Sequence, residues 1–142
     1  MIVKSDGKVD FEPDDSGKLK PITSFPLPHD EKDPEGAIVI YEMPYRLPKG
    51  DVPNGLYLAG TDPVDHDRKD VRDKFSLAST FILHKLTGKI VAEYTGRTYH
   101  ADTYNEQLRL LLMWYNAETL IETNRIGLFT YFKNHAGLPY LS

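Results

Sequence analysis

The chain has 142 residues, of which 40% are hydrophobic and none is cysteine, and its formal net charge is −4. That length suits one domain with a sizeable core, and the lack of cysteine excludes disulfides and thiolate metal sites, so oxygen or imidazole must hold any metal. The negative charge argues against binding of nucleic acid through bulk positive charge. The N-terminus lacks a signal-peptide pattern and no apolar stretch approaches the ~20 residues of a membrane helix, which predicts a cytoplasmic protein without a membrane partner.

The first 36 residues differ in composition from the rest of the chain. They are acidic, rich in turn-forming residues and poor in apolar ones, so they offer little burial to offset the entropy lost on ordering. We therefore expect a flexible acidic arm or linker over residues 1–36, with at most a weak hairpin around Ser16, and a domain over residues 37–142. The β-branched run at 37–41, followed by Pro44, predicts an edge strand.

The next segments predict a sheet and a helix. Apolar runs at 56–61, 75–83 and 89–95, the last two joined by a short turn, favour an antiparallel meander of three strands. Apolar and aromatic residues then recur at helical spacing as far as Tyr115, with Thr103 and Glu106 placed as a capping box, and predict a helix that ends near Asn116.

The last segments predict a parallel strand and a second helix. Residues 119–123 form a short apolar run, and a strand reached through a helix normally joins its sheet in parallel by a right-handed crossover. Residues 126–135 have a helical pattern that is stopped by Gly137 and Pro139. The predicted fold class is therefore α/β, with a mixed sheet of the ribonuclease H-like plan and helices packed on it.

Two acids end the strands that this plan places side by side. Asp62 closes the first meander strand and Glu122 closes the strand after the helix, so parallel pairing would bring the two carboxylates to one edge of the sheet. Neighbouring carboxylates repel each other unless a cation lies between them, and hard oxygen ligands suit Mg²⁺ or Mn²⁺. A pair of such ions can serve phosphodiester hydrolysis. An acid at a strand end can equally be a helix cap or a solvated loop residue.

Other polar residues are weaker candidates. Asp73, directly before the second meander strand, is a candidate accessory metal ligand, whereas the acids between Pro63 and Arg72 read as solvated charges. The histidines at 66, 84, 100 and 135 follow no metal-ligand spacing and read as structural or surface residues. A P-loop pattern is absent, so an ATPase is not supported.

These short motifs, in their order, resemble a known family. GLYLAGTDP at residues 55–63, DKFSLA at 73–78, TGKIVA at 87–92 and IETNRIG at 121–127 resemble the nuclease domain of the large terminase subunit of tailed bacteriophages. The resemblance covers roughly residues 36–142. It matches Asp62 to the family's first acid, Glu122 to its second and Asp73 to an additional aspartate near the metals.

The resemblance implies an endonuclease that cuts concatemeric phage DNA during packaging. It implies two Mg²⁺ or Mn²⁺ ions, Asp62 and Glu122 as catalytic residues and metal ligands, double-stranded DNA as substrate, and a bacterial host cytoplasm. It also implies an ATPase domain, a portal and a small terminase subunit as partners. The family's third acid would lie beyond Ser142, so we expect a domain that is incomplete at its C-terminus. Two alternatives stay open: another ribonuclease H-like enzyme such as a junction resolvase or a transposase, and a catalytically silent prophage-remnant scaffold or DNA-docking module.

Overall fold

In the part of the chain that the structure describes, the fold is α/β, with a five-stranded mixed sheet and the helix that packs on it. The computed structural model describes residues 1–14, 16, 19–22, 35–63, 77–121, 131, 133–135 and 140. Within them the sheet order is β3-β6-β5-β4-β7, with strands at β3 (Ala37–Ile40), β4 (Tyr57–Asp62), β5 (Ala78–His84), β6 (Ile90–Gly96) and β7 (Glu118–Ile121). The predicted mixed sheet is confirmed, and the strand predicted over 37–41 lies at its edge.

Strands β4, β5 and β6 form the predicted antiparallel meander. Buried and more exposed residues alternate along β4 and β5, because successive side chains of a strand point to opposite faces of the sheet. One face therefore packs into the core. We call the other face, which carries Leu58, Gly60, Phe81 and Leu120, the open face.

Helix α1 (Ala101–Tyr115) connects the meander to β7 and covers the core face of the sheet. Tyr104, Leu108, Leu111, Leu112 and Tyr115 are fully buried, as their helical spacing predicts. The helix ends where Asn116 adopts a left-handed backbone conformation with φ of 50° and donates its N–H to carbonyls of the last turn, a common helix stop. After the helix, β7 pairs with β4 in parallel, which confirms the predicted parallel pairing.

The predicted capping box is wrong. Helix α1 begins at Ala101, two residues before Thr103, and its N-cap residue His100 makes no side-chain capping bond. Glu106 is instead bound by Arg109, with both guanidinium-carboxylate hydrogen bonds at 2.9 Å or less, and by the Tyr131 hydroxyl at 2.6 Å. Because the helix begins earlier than predicted, the Glu106 carboxylate lies beyond the first turn and binds Arg109 of the same helix and Tyr131 outside it.

A two-stranded hairpin occupies the start of the chain, within the segment expected to be a flexible arm. Strands β1 (Ile2–Val3) and β2 (Val9–Asp10) pair antiparallel. Directly after β2, the Phe11 ring packs on Trp114 of α1 with ring centroids 5.4 Å apart. The sequence analysis did not predict this contact; mobility over residues 1–36 and the boundary at residue 37 stay predictions.

Two glycines allow an unusually close approach between the start of β3 and the end of β6. A Cβ on Gly96 would lie 1.9 Å from the Glu35 carbonyl oxygen, and a Cβ on Gly36 would lie 2.0 Å from that of Thr95. Gly36 also has φ of +74°. Only glycine fits at either position, because backbone atoms occupy the space of a side chain.

Several predictions fall outside the described residues. They include the first residues of the strand predicted at 75–83, the end of the strand at 119–123 and most of the helix at 126–135, of which Tyr131, Lys133 and Asn134 have helical backbone. In the part of the chain that the structure describes, no helix is long and apolar enough to cross a membrane.

Candidate functional site

Asp62 is the last residue of β4 and is exposed on the open face. Its neighbour Thr61 points to the core face and is buried, so the strand's alternation presents the Asp62 carboxylate to solvent at the sheet edge. Across the sheet its register partner is Ser79, whose hydroxyl is hydrogen-bonded to that of Thr95 at 2.9 Å. A charged oxygen and two hydroxyls thus share one transverse row of the open face.

The parallel pair β4 and β7 aligns the two strand ends that the sequence singled out. The Cα partner of Ile121 is Thr61, and the next residues in the sequence are Glu122 and Asp62 respectively. Glu122 and Asp73 lie outside the described residues. Of the predicted metal ligands, only Asp62 is therefore placed. Among the described residues, no group of three or more histidine or acidic side chains could hold a metal ion.

Among the described residues, the open face next to Asp62 is partly apolar and is uncovered at Gly60. Gly60 is the register partner of both Phe81 and Leu120, and a Cβ at Gly60 would meet no atom within 4 Å. Phe81 and Leu120 are 42% and 53% exposed. The missing side chain leaves a shallow gap between two apolar residues, two positions along β4 from Asp62, and a ligand can approach the carboxylate across it.

A chain of buried hydroxyls lies on the core face behind the same strand ends. The Tyr104 hydroxyl donates to the Tyr94 carbonyl at 2.8 Å, and its oxygen is 3.0 Å from the Thr80 hydroxyl. Thr80 is 3.1 Å from the Thr61 hydroxyl, which is 2.7 Å from that of Thr119. All four hydroxyl-bearing residues are at most 6% exposed.

The donor and acceptor roles of these hydroxyls follow from the single proton that each one carries. A carbonyl can only accept, so the single proton of Tyr104 is committed to Tyr94 and Thr80 must donate to Tyr104. By the same reasoning Thr61 donates to Thr80, and Thr119 donates to Thr61. Each hydroxyl donates once towards the Tyr94 carbonyl, so these buried groups are satisfied without water. The hydroxyl chain joins strands β4, β5, β6 and β7 to the helix, and its Thr61–Thr119 bond supports the side-by-side arrangement of β4 and β7.

The Tyr104 phenol is held neutral in this setting. Burial is the main cause that raises its pKa far above the ordinary value; the hydrogen bond from Thr80 lowers it, and the charges of Tyr94 and Asp62 raise it further. Tyr104 is therefore a structural group rather than an acid or base near neutral pH.

Two of the described histidines, His84 and His135, make structural contacts, and the third, His100, is the N-cap residue of α1. His84 ends β5, and its Nδ1 accepts the backbone N–H groups of Leu86 and Thr87 at 3.2 and 3.3 Å. His135 stacks on Tyr131 with ring centroids 4.0 Å apart, and His100 precedes α1. His66 lies outside the described residues.

Sequence reasoning missed the hydroxyl chain and the Glu106 contacts with Arg109 and Tyr131. The signal for the hydroxyl chain is present in the sequence: Thr61, Thr80 and Thr119 each occupy an inward position of a strand. A threonine among buried residues requires a partner, but the register that supplies it is a tertiary property.

Comparison of the chain with protein-family models, with curated proteins and with solved structures finds no match. The proposals below therefore depend on the chain's own residues, their register and their surroundings.

Proposed function

We propose that this chain is a metal-dependent DNA endonuclease domain with a ribonuclease H-like fold, of the type found in phage terminases. The observation that carries the proposal is the register of β4 and β7, in which Thr61 pairs with Ile121. Asp62 directly follows Thr61 in the sequence, and Glu122 directly follows Ile121. Because the strands run parallel, this register favours the two carboxylates lying at the same end of β4 and β7. The antiparallel meander and the helix that leads into β7 add support, since both belong to the ribonuclease H-like plan.

The donor chemistry of this edge suits Mg²⁺ or Mn²⁺. The proposed ligands are the carboxylates of Asp62 and Glu122, with Asp73 in support, and hard divalent cations prefer such oxygen donors. When bound, a pair of these ions supplies activation of water and stabilisation of the leaving oxygen in phosphodiester hydrolysis. Asp62 is exposed and can reach a phosphodiester laid across the open face, with the Gly60 gap giving it access.

Metal binding is the first test. We expect Mn²⁺ to bind with a dissociation constant on the order of millimolar, because two carboxylates leave most of the coordination shell to water. Calorimetry should show this binding lost in Asp62→Asn and in Glu122→Gln. The matched control is Glu118→Gln, which removes the same charge from the opposite end of β7, where Glu118 is exposed. Equal binding by wild type and Asp62→Asn would rule out this site.

DNA cleavage is the second test. Nicking of supercoiled plasmid should depend on Mn²⁺, be slow with this chain alone, and disappear in Asp62→Asn and Glu122→Gln but not in Glu118→Gln. Slow nicking is expected because a second ion held by too few ligands is poorly positioned, and misplacement on the order of 1 Å costs about a hundredfold in rate. Nicking that is unaffected by Glu122→Gln would refute the assignment. Metal binding without any nicking would favour the catalytically silent DNA-docking module.

A further inference from the structure

A groove with a cationic rim lies at the end of the molecule opposite to Asp62. It encloses about 690 Å³ between the β1–β2 hairpin, the loop before β4 and the C-terminal end of α1. The Tyr57 hydroxyl, at the start of β4, accepts the backbone N–H of Tyr45 at 2.9 Å and ties that loop to the end of the strand remote from Asp62. We call this cavity the basic groove; its basic lining residues are Lys4, Lys8, Arg46 and Lys49.

The charge of the basic groove opposes that of the whole chain. Its lining has four basic residues and two acids, Asp10 and Asp51, in a chain with 21 acids and 17 lysines and arginines. Asp10 is partly engaged, since one carboxylate oxygen accepts the Phe11 N–H at 2.8 Å and the other lies 3.9 Å from the Lys4 ammonium. Basic residues therefore outnumber acids in the lining of this groove, although acids outnumber basic residues in the chain as a whole.

Both walls of the basic groove are fixed by backbone hydrogen bonds. In the hairpin, the Lys4 N–H donates to Lys8 O at 2.8 Å, and in the loop the Leu47 N–H donates to Asp51 O at 2.8 Å. Arg46 donates from Nη1 to Gly50 O at 2.8 Å, which orients the guanidinium. Cations held on two ordered turns across a cavity lose little entropy when an anion binds.

The floor of the basic groove is apolar, which narrows the choice of ligand. Val9, Val52, Met43, Met113 and Trp114 also line it. Met43 is 58% exposed, whereas Trp114 is 3% exposed, so a ligand in the groove would contact Met43 rather than the buried Trp114 ring. A polyanion with flat apolar parts suits this mixture, because bases can stack on aromatic or apolar side chains while phosphates contact the cationic rim.

We propose that the basic groove binds single-stranded nucleic acid, with phosphates on Lys4, Lys8, Arg46 and Lys49 and a base against the apolar floor. The proposal is independent of the Asp62 site. Contacts to four phosphates give a slope of log affinity against log salt of about −2.8, and hence affinity ~50-fold weaker at 200 mM than at 50 mM salt.

The experiment is fluorescence anisotropy with a labelled 12-nucleotide oligonucleotide in EDTA. Lys8→Glu/Lys49→Glu should weaken binding at least tenfold and reduce the salt slope by about half. The matched control is Lys85→Glu/Lys89→Glu, which changes the net charge equally on exposed lysines outside the basic groove, and it should change affinity less than twofold. Where a reversal variant fails to fold, the Lys→Gln pairs at the same positions replace it, with the same ranking expected.

Three results would overturn the proposal: no saturable binding at 50 mM salt, equal loss in the two double variants, or displacement by poly-glutamate at a lower charge concentration than by unlabelled oligonucleotide. The last result would identify an acidic peptide surface instead. Asp62→Asn separates this proposal from the nuclease proposal, because it should leave oligonucleotide binding in EDTA unchanged even though it removes metal binding.

Discussion

The direction of the buried hydroxyl chain can be tested by comparing its two ends. Tyr104→Phe removes the end that donates to the Tyr94 carbonyl, while the ring stack with Tyr94, with centroids 4.3 Å apart, is preserved. Two hydrogen bonds are lost, and one buried threonine proton is left without an acceptor in the chain. Each lost bond costs about 1 kcal/mol, and a buried group left without a partner costs about 1–3 kcal/mol. Because these two costs partly overlap, the free energy of unfolding should fall by about 2–4 kcal/mol.

Thr119→Val removes the other end, and the expected cost is smaller. Thr119 only donates, so its loss deletes one bond to Thr61 and orphans no donor; the expected cost is about 1 kcal/mol. Tyr115→Phe is a matched control in the same helix, because the Tyr115 hydroxyl donates at 2.6 Å to the Glu42 carbonyl and belongs to no hydroxyl chain. It should also cost about 1 kcal/mol.

Urea unfolding followed by far-ultraviolet circular dichroism measures all three changes. The ranking is the test: Tyr104→Phe must cost more than Thr119→Val and more than Tyr115→Phe. If Thr119→Val costs as much as Tyr104→Phe, then the hydroxyls do not all donate towards Tyr94 and the derived direction is wrong.

Three further predictions concern packing and pH. Gly96→Ala should destabilise the fold by more than about 3 kcal/mol, beyond the usual overpacking cost of about 1–3 kcal/mol, because its Cβ meets the Glu35 backbone. Gly88→Ala is the control for backbone strain without a clash, since a Cβ there meets nothing within 4 Å but φ is +71°. Equal loss of stability in the two variants, measured by urea unfolding, would contradict the clash. Phe11→Ala should release the β1–β2 hairpin from Trp114 and speed proteolysis in the first 22 residues, whereas Phe81→Ala on the open face should not; unchanged cleavage would show that the ring contact does not hold the hairpin. Hydrogen bonds from Arg109, and to a lesser extent from Tyr131, lower the pKa of Glu106 from its ordinary 4.5. This carboxylate should therefore stabilise the fold above pH ~4.5 and lose that contribution as pH falls through its lowered native pKa. The difference in free energy of unfolding between wild type and Glu106→Gln should shrink over that range, and a constant difference between pH 3 and 6 would contradict the prediction.

Local sequence determined the elements and their order. Apolar runs located β4 and β5, and helical spacing located the buried face of α1, because both patterns are local properties of the sequence. The crossover through α1 then predicted that β7 would be parallel to β4, since an antiparallel neighbour would not require a helical connection. The position of Asp62 at a strand end follows from the same reasoning.

Tertiary structure decided the partners of individual side chains. Thr61, Thr80 and Thr119 are 19 and 39 residues apart in the sequence, and only the register of three strands brings their hydroxyls within hydrogen-bond distance. Helix α1 begins at Ala101, so Glu106 is too far from the helix start to cap it; its carboxylate binds Arg109 within the same helix and Tyr131 25 residues further along the chain. The basic groove likewise brings together Lys8 and Lys49, which are 41 residues apart and whose local sequences carry no common pattern. Periodicity fixes which face a residue occupies, but the residue it meets there depends on the register and docking of the whole chain.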